Sequence, residues 1–424
     1  MRWSQWYSLR SYVRSALWVI PFFALLLHIV TIRAVFAIDA WLGWEPPWPW
    51  GVSGTQMLLQ TIISMTLTFI VFTFGSLLVA IQIAGGQLTP RIIAATLLRN
   101  NVIRVIVGLF IFTLLFATGA LARLEGTAYN LVAEVAGVLG FASVAAFLYL
   151  IDYAARLLRP VSIVWQVGEA GIEVIEDVYP EPAVEAAALR PPVTLPACSK
   201  TVLHRGKSGI VLAVNVKALV EDARRSSGMI EFVPRVGDFV GVGEPLFHLY
   251  DGASAIEEGR LRNAVAFGPE RTIEQDSTFA FRIIVDIAIK ALSKAINDPT
   301  TAVLAIDQLQ RLLRSVGKRK LHTDEIVDAA GEVRLILRTP NWRDFVHLTF
   351  SEIRFYGAEN VQIARRLRAM IENLVQTLPD YRHAALRTEL TLLDRSLEKL
   401  YILPEDLKRA RVPDAQGLGG ASRR

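Results

Sequence analysis

Three groups of residues have the types and spacing to do chemistry. Arg282, Asp286, Lys290 and Lys294 recur every four residues, which places them on one stripe of a helix. That stripe is either a ladder of ion pairs along a seam or a surface facing a ligand or anion. Directly after it, Asn297-Asp298-Pro299-Thr300-Thr301 reads as a helix start, with Asp298 as N-cap and Pro299 in the first helical position. Backbone N–H groups there, the hydroxyls of Thr300 and Thr301, and two lysines upstream give two readings: an ordinary capped helix, or a seat for phosphate or carboxylate. The third group lies in an apolar run. At ~100° per residue, Gln60, Thr61, Ser64, Thr68, Gly75 and Gln82 share one sector about 100° wide. Thr66, Thr73 and Ser76 fall off that face. Small and hydroxyl-bearing residues on one side of an apolar helix either let helices pack closely or line a narrow polar path.

Two ionisable residues also sit in apolar runs. His28 and Glu134 are functional candidates, because charge inside a bilayer is costly and seldom without purpose. The competing readings are a neutral His28 hydrogen-bonded between helices and a Glu134 that reaches the boundary. His204, His248, His322, His347 and His383 have no metal-ligand spacing, and Cys198 is the single cysteine. A disulfide within the chain is thereby excluded, and neither a metal nor a cofactor is expected. Walker-type phosphate loops, HExxH and GxSxG are missing too, which ranks an enzyme last among the function classes. The net charge of +5 is mild and dispersed. Nucleic acid is therefore a poor partner, and an anionic inner leaflet a better one.

The elements that must position these residues begin with four apolar stretches, 15–32, 55–83, 105–122 and 129–151, each about long enough to cross a ~30 Å hydrocarbon core. The chain is 52% hydrophobic, and most of the excess lies before residue 152. The first stretch is too long for a signal peptide's apolar region and lacks a clean small-residue cleavage site. Arg2, Arg10 and Arg14 precede the first stretch, Arg91, Arg99 and Arg104 separate the second from the third, and Arg156 and Arg159 follow the fourth. The other two loops carry only Arg33 and Arg123. This alternation predicts a multi-pass protein of a bacterial-type inner membrane with both termini in the cytoplasm. Trp41, Trp44, Trp48 and Trp50 are placed for an outer aromatic belt, and Trp3 and Trp6 for an inner one.

After the four-span region (1–159), residues 160–192 read as a connector ending at Pro191-Pro192. Residues 193–252 read as a small β-rich, barrel-like module, with strands near 209–216 and 229–233, a helix over 217–226, and turns at Gly237 and Gly243. The segment from Pro234 to Leu246 resembles the turn-rich sequence of lipoyl- and biotinyl-type domains. It has no Met-Lys pair to carry a cofactor, so a structural or docking role is expected. Residues 253–411 are expected to be mostly helical, with helices over 277–295, 342–356, 358–378 and 381–401 and a strand at 333–337. The tail from 412 to 424 lacks an apolar anchor and is expected to be disordered. The fold class is thus a four-helix membrane region followed by a cytoplasmic α+β region.

Two longer motifs carry a family resemblance. Ser76-Leu-Leu-Val-Ala-Ile-Gln-Ile-Ala-Gly-Gly-Gln-Leu-Thr-Pro-Arg91 is one; Glu274-Gln-Asp-Ser-Thr-Phe-Ala-Phe-Arg282, running on to Ile296-Asn-Asp-Pro-Thr-Thr-Ala302, is the other. With the Val236-to-Val240 turn, they resemble the predicted membrane proteins of domain of unknown function 2254 along nearly the whole chain. Two departures stand out: Gly85-Gly86 in place of a Ser-Ser type pair, and Lys294-Ala295 where Pro-Gly is expected. The second removes a helix breaker and predicts a longer preceding helix. The resemblance implies an architecture and no activity. The reading that follows is a homo-oligomeric channel or transport-type protein with a cytoplasmic regulatory domain, in contact with the lipid bilayer and possessing a site for an anionic small ligand or ion. The alternative is a non-conducting scaffold or signalling protein that binds partners through its cytoplasmic helices.

Overall fold

The computed structural model describes residues 18–42, 51–87, 101–124, 130–157, 159–183, 195–321 and 324–420, with Trp3, Trp6, Val13 and Ala16 in addition. Arg2, Arg10, Arg14, Arg91, Arg99, Trp44, Trp48, Trp50, the Pro191-Pro192 pair and His322 lie outside the described residues. The chain folds as two compact units, one of residues 12–86 and 92–162, the other of residues 1–11, 87–91 and 163–424.

The first unit consists of α1 (Val19–Leu42), α2 (Val52–Gln87), α3 (Asn101–Leu121) and α4 (Asn130–Leu157). All four are long and apolar enough to cross a membrane. Their packing follows from small residues at the contacts. A Cβ on Gly119 of α3 would come within 2.5 Å of Ile32 Cδ1 of α1, and one on Gly140 of α4 within 3.1 Å of Ile62 Cγ1 of α2. Such glycines let backbones approach where apolar lipid gives no hydrophobic drive to helix association. Phe69 of α2 stacks on Phe147 of α4 at 4.1 Å, and Ser143 of α4 donates to Thr113 Oγ1 of α3 at 3.1 Å in a buried contact. Most of the outer surface is apolar: Phe23, Leu27, Val30, Val138 and Phe141 are all exposed. Water would not tolerate so continuous an apolar surface, whereas hydrocarbon does.

Most of α5 (Pro160–Val178) belongs to the second unit, and a helix thus occupies much of the stretch that reads as a connector. Its Ile163, Val164, Val167, Val174 and Ile175 are buried along one stripe. Gly168 and Gly171 lie where a Cβ would meet Gln308 Oε1 at 2.7 Å and Ala280 Cβ at 2.8 Å, so the glycines set how closely α5 approaches its neighbours. Five strands form one sheet: β1 (Lys200–Leu203), β3 (Gly228–Phe232), β5 (Pro245–Asp251), β7 (Glu325–Val327) and β8 (Val333–Leu337), in the order β1-β5-β3-β8-β7. Three more, β2 (Gly209–Val214), β4 (Phe239–Val240) and β6 (Val265–Gly268), form a second sheet in the order β4-β2-β6. Two short helices, α6 (Val216–Arg225) and α7 (Glu258–Asn263), lie among them.

The barrel-like module expected from the turn-rich sequence is not what forms. Both sheets are open. The reason is β8, which enters parallel beside β3 from about a hundred residues downstream and extends the sheet instead of closing it. Gly237 and Gly243 do mark tight turns, with φ of +93° and +88° that suit glycine. The shared core is apolar and closed to water, with Val211, Ile230, Phe232, Phe247, Leu249 and Leu335 fully buried.

The helical layer contains α8 (Ser277–Ala291), α9 (Pro299–Gly317), α10 (Trp342–Gly357), α11 (Val361–Thr377), α12 (His383–Leu400) and the short α13 (Pro404–Ala410). α8 ends at Ala291 instead of running to 295, so Lys294-Ala295 does not lengthen it. The chain turns over at Asn297, whose φ of +48° lies in the left-handed region that Asn tolerates better than most residues. The tail expected to be disordered is docked as far as 420. Buried Arg365 of α11 donates to the carbonyls of Val412 (3.0 Å), Gly419 (3.0 Å) and Gly420 (3.1 Å). Asp414 in turn accepts from the backbone of Gln416, Gly417 and Gly419. Polar anchoring fixes this tail where no apolar side chain does.

Candidate functional site

The polar face of α2 points out of the four-helix unit. Thr55, Leu59, Ile62, Thr66 and Thr73 are buried against the unit's interior. Gln60, Thr61, Ser64, Thr68, Gly75 and Gln82 are exposed. The three- and four-residue steps of the buried set leave the polar set on the other side of the cylinder. Gln60, Thr61, Ser64 and Thr68, together with Met57 and Met65, line a shallow groove of about 500 Å³. The hydroxyls of Thr61 and Thr68 turn back onto the carbonyls of Met57 (2.7 Å) and Ser64 (2.8 Å), which softens their polarity. The side-chain amides of Gln60 and Gln82 are too polar to be neutralised so cheaply in hydrocarbon.

His28 is half-buried on α1 beside Gly119, where a Cβ would meet its Cε1 at 3.2 Å, and its Nδ1 is buried without a hydrogen-bond partner. Glu134 is half-buried near the start of α4. Neither shares the α2 groove. Asp39, which sequence reasoning passed over, is buried near the end of α1 with one carboxylate oxygen unbonded.

In the second unit, the α8 stripe is drawn into the helical layer. Arg282 donates through Nε to Asp286 at 2.7 Å and grips Glu352 of α10 with both terminal nitrogens, one at 2.9 Å. Glu352 holds its proton less readily than an ordinary carboxylate, chiefly because of the hydrogen bond from Arg282. A two-toothed grip of this kind locks one helix against another. Lys290 is half-buried farther down the same helix, and Lys294 is exposed beyond its end. At the start of α9, Asp298 accepts from the backbone of Thr301 at 3.1 Å and from its hydroxyl, while Asn297 and Thr300 are exposed. The cap thus takes up donors that an anion would need.

One feature of this unit was not found from sequence. A cleft of about 830 Å³ opens where α6 and α8 begin and where β7 and β8 end. Asp276 lines it, only 5% exposed, and caps α8 by accepting from the backbone N–H of Thr278 and Phe279, each at 3.1 Å. Its other oxygen, Oδ2, has no hydrogen-bond partner, and the nearest cation, Arg271 Nη1, is 4.0 Å away. Burial raises its pKa above the ordinary carboxylate value. Tyr179, which is buried in the wall, is pushed up to about 12 chiefly by burial, against a hydrogen bond with Ser277 that lowers it. The signal available in sequence was Asp276-Ser277-Thr278 opening a helix, within the second family motif. Among the described residues, no group of His, Cys, Asp and Glu could hold a metal ion.

A family model described as "Predicted membrane protein (DUF2254)" matches residues 14–373. The chain is 27% identical over 434 residues to an uncharacterised protein of Mycobacterium tuberculosis, and equally to one of Mycobacterium bovis. The alignment covers 97% of this chain and 80% of each relative. No solved structure matches it. The chain belongs to this family of predicted membrane proteins.

Proposed function

We propose, with family membership as the premise, that the protein is a homo-oligomeric channel or transport-type protein of a bacterial-type inner membrane. In this reading all four apolar helices span the bilayer, both termini face the cytoplasm, and the α+β unit regulates passage. The observation that carries it is the outward face of α2. Within one chain, Gln60, Ser64, Thr68 and Gln82 are turned away from the helices that could cover them. Lipid cannot satisfy the amides of Gln60 and Gln82, so neighbouring copies and water are the partners that can. Four spans are few for a pathway within one chain, and a symmetric ring would bring the α2 faces to a common axis.

The experiment is ion flux through proteoliposomes of purified protein, with the mass of the detergent-solubilised assembly measured alongside. Wild-type flux, lost in a folded Ser64→Leu variant, is the expected result. A monomeric mass would sink the reading. A second reading, a non-conducting scaffold, is favoured by one observation: Phe355, Tyr356, Ile402 and Leu403 are exposed near the ends of α10 and α12, which Tyr401 ties together by donating to the Glu359 carbonyl at 2.9 Å. Exposed apolar side chains in one place suit a protein partner.

A further inference from the structure

We propose that the cleft beside Asp276 binds a small organic cation, an alkylammonium or guanidinium compound. The site stands on the geometry of the α+β unit alone, so it does not depend on whether the four-helix unit conducts.

The cleft is large enough for a metabolite-sized ligand, at about 830 Å³. What points to a ligand is the state of its polar atoms. Asp276 is 5% exposed, and its capping duties occupy Oδ1 alone. Oδ2 is buried and accepts no hydrogen bond; at 4.0 Å, Arg271 is beyond hydrogen-bonding distance. Buried carboxylate oxygens are expensive to leave in that state. Thr339, at the end of β8, also lines the cleft, and its Oγ1 is buried without a partner. Two unsatisfied oxygens in one cleft call for donors.

The surrounding charges narrow the donor's chemistry. Asp177, Glu274 and Glu325 line the same cleft, as does Trp3, an aromatic residue of the kind whose ring attracts cations. Lys217, Arg235, Lys320 and Arg338 also line it, but all four side chains are exposed, whereas the carboxylate of Asp276 is buried. Of these cations, Lys320 pairs with Glu181 at 2.6 Å and Arg338 with Glu231 at 3.6 Å. Gly237, with φ of +93°, packs beside Oδ2, where a Cβ would come within 2.5 Å of that oxygen. An ammonium or guanidinium group would give Oδ2 and Thr339 Oγ1 the N–H donors they lack, and would favour the ionised form of Asp276.

The test uses the full-length protein in detergent, with putrescine, spermidine and agmatine as cationic probes and inorganic phosphate as the anionic one. Binding is read by calorimetry and by the shift in Tm. At least one cationic probe is expected to bind, with Kd raised at least tenfold by Asp276→Asn and unchanged by Lys217→Gln. The Asn side chain still offers Oδ1 to cap α8, so this variant should fold. Should it not, Thr339→Val serves in its place and is expected to weaken the same probe. The proposal is overturned if none of the three cations binds or if the variants bind as wild type does. Binding of phosphate alone, abolished by Lys217→Gln, would overturn it in favour of an anion site.

Discussion

Two helices of this protein carry polar stripes of similar appearance, and the fold turns them in opposite directions. On α8, Arg282 points into the helical layer and closes on Asp286 of its own helix and Glu352 of α10. On α2, Gln60, Thr61, Ser64 and Thr68 point away from the other three apolar helices. An inward stripe finds its partners within the chain and contributes to stability. An outward stripe in an apolar unit leaves the amides of Gln60 and Gln82 facing away from the chain's own apolar helices. Helical spacing decides which residues share a face; packing decides what that face meets.

The comparison can be broken from either side. Glu352→Ala removes the two-toothed partner of Arg282; with the two side chains 23% and 42% exposed, solvent screening keeps the expected cost to about 1–2 kcal/mol in chemical denaturation. The next effect contrasts two threonines of one helix. Thr66 is buried, and Thr66→Leu would overpack the four-helix unit at about 1–2 kcal/mol. Thr68→Leu, on the outward face, is expected to stay within about 0.5 kcal/mol and to affect flux instead. Equal losses of stability would mean that both residues point inward. At the turn after α8, Asn297→Ala should cost about 1 kcal/mol and Asn297→Gly should be near neutral, because φ is +48° there.

The smallest effect is a pH slope. Burial raises the pKa of Asp276, so the folded state holds that proton more tightly than the unfolded chain does. Stability from this group is full below the ordinary carboxylate range and is lost as pH rises through the raised value. Asp276→Asn removes the loss, so its Tm should gain on wild type as pH increases from about 4 towards 8. A constant difference across that range would contradict the burial argument.

Much of the first unit was legible in sequence, because long apolar runs have few alternatives to membrane helices. Local signals in the second unit also carried through: Asp298-Pro299 opens α9, and Val333–Leu337 is a strand. Long-range pairings were hidden. No local pattern announces that β8 will lie parallel to β3, and that pairing is what keeps the sheet open. Helix α5 was obscured by Pro160 and by acidic Glu169, Glu173 and Glu176, although Pro suits a first helical position and its apolar residues repeat with helical steps. The docked tail was missed because its anchor is Arg365, a residue whose burial no composition rule predicts. Both polar stripes were visible; their directions were not.

The central claim is that the outward face of α2 meets water and neighbouring copies instead of lipid. The most direct measurement is thiol accessibility in proteoliposomes. With Cys198 replaced by Ser, single cysteines are placed at Thr68 and at Leu67, both exposed near the middle of α2. A charged, membrane-impermeant thiol reagent should modify Thr68→Cys and block flux, and leave Leu67→Cys untouched. Equal inertness of the two positions would place the polar face in lipid and contradict the account.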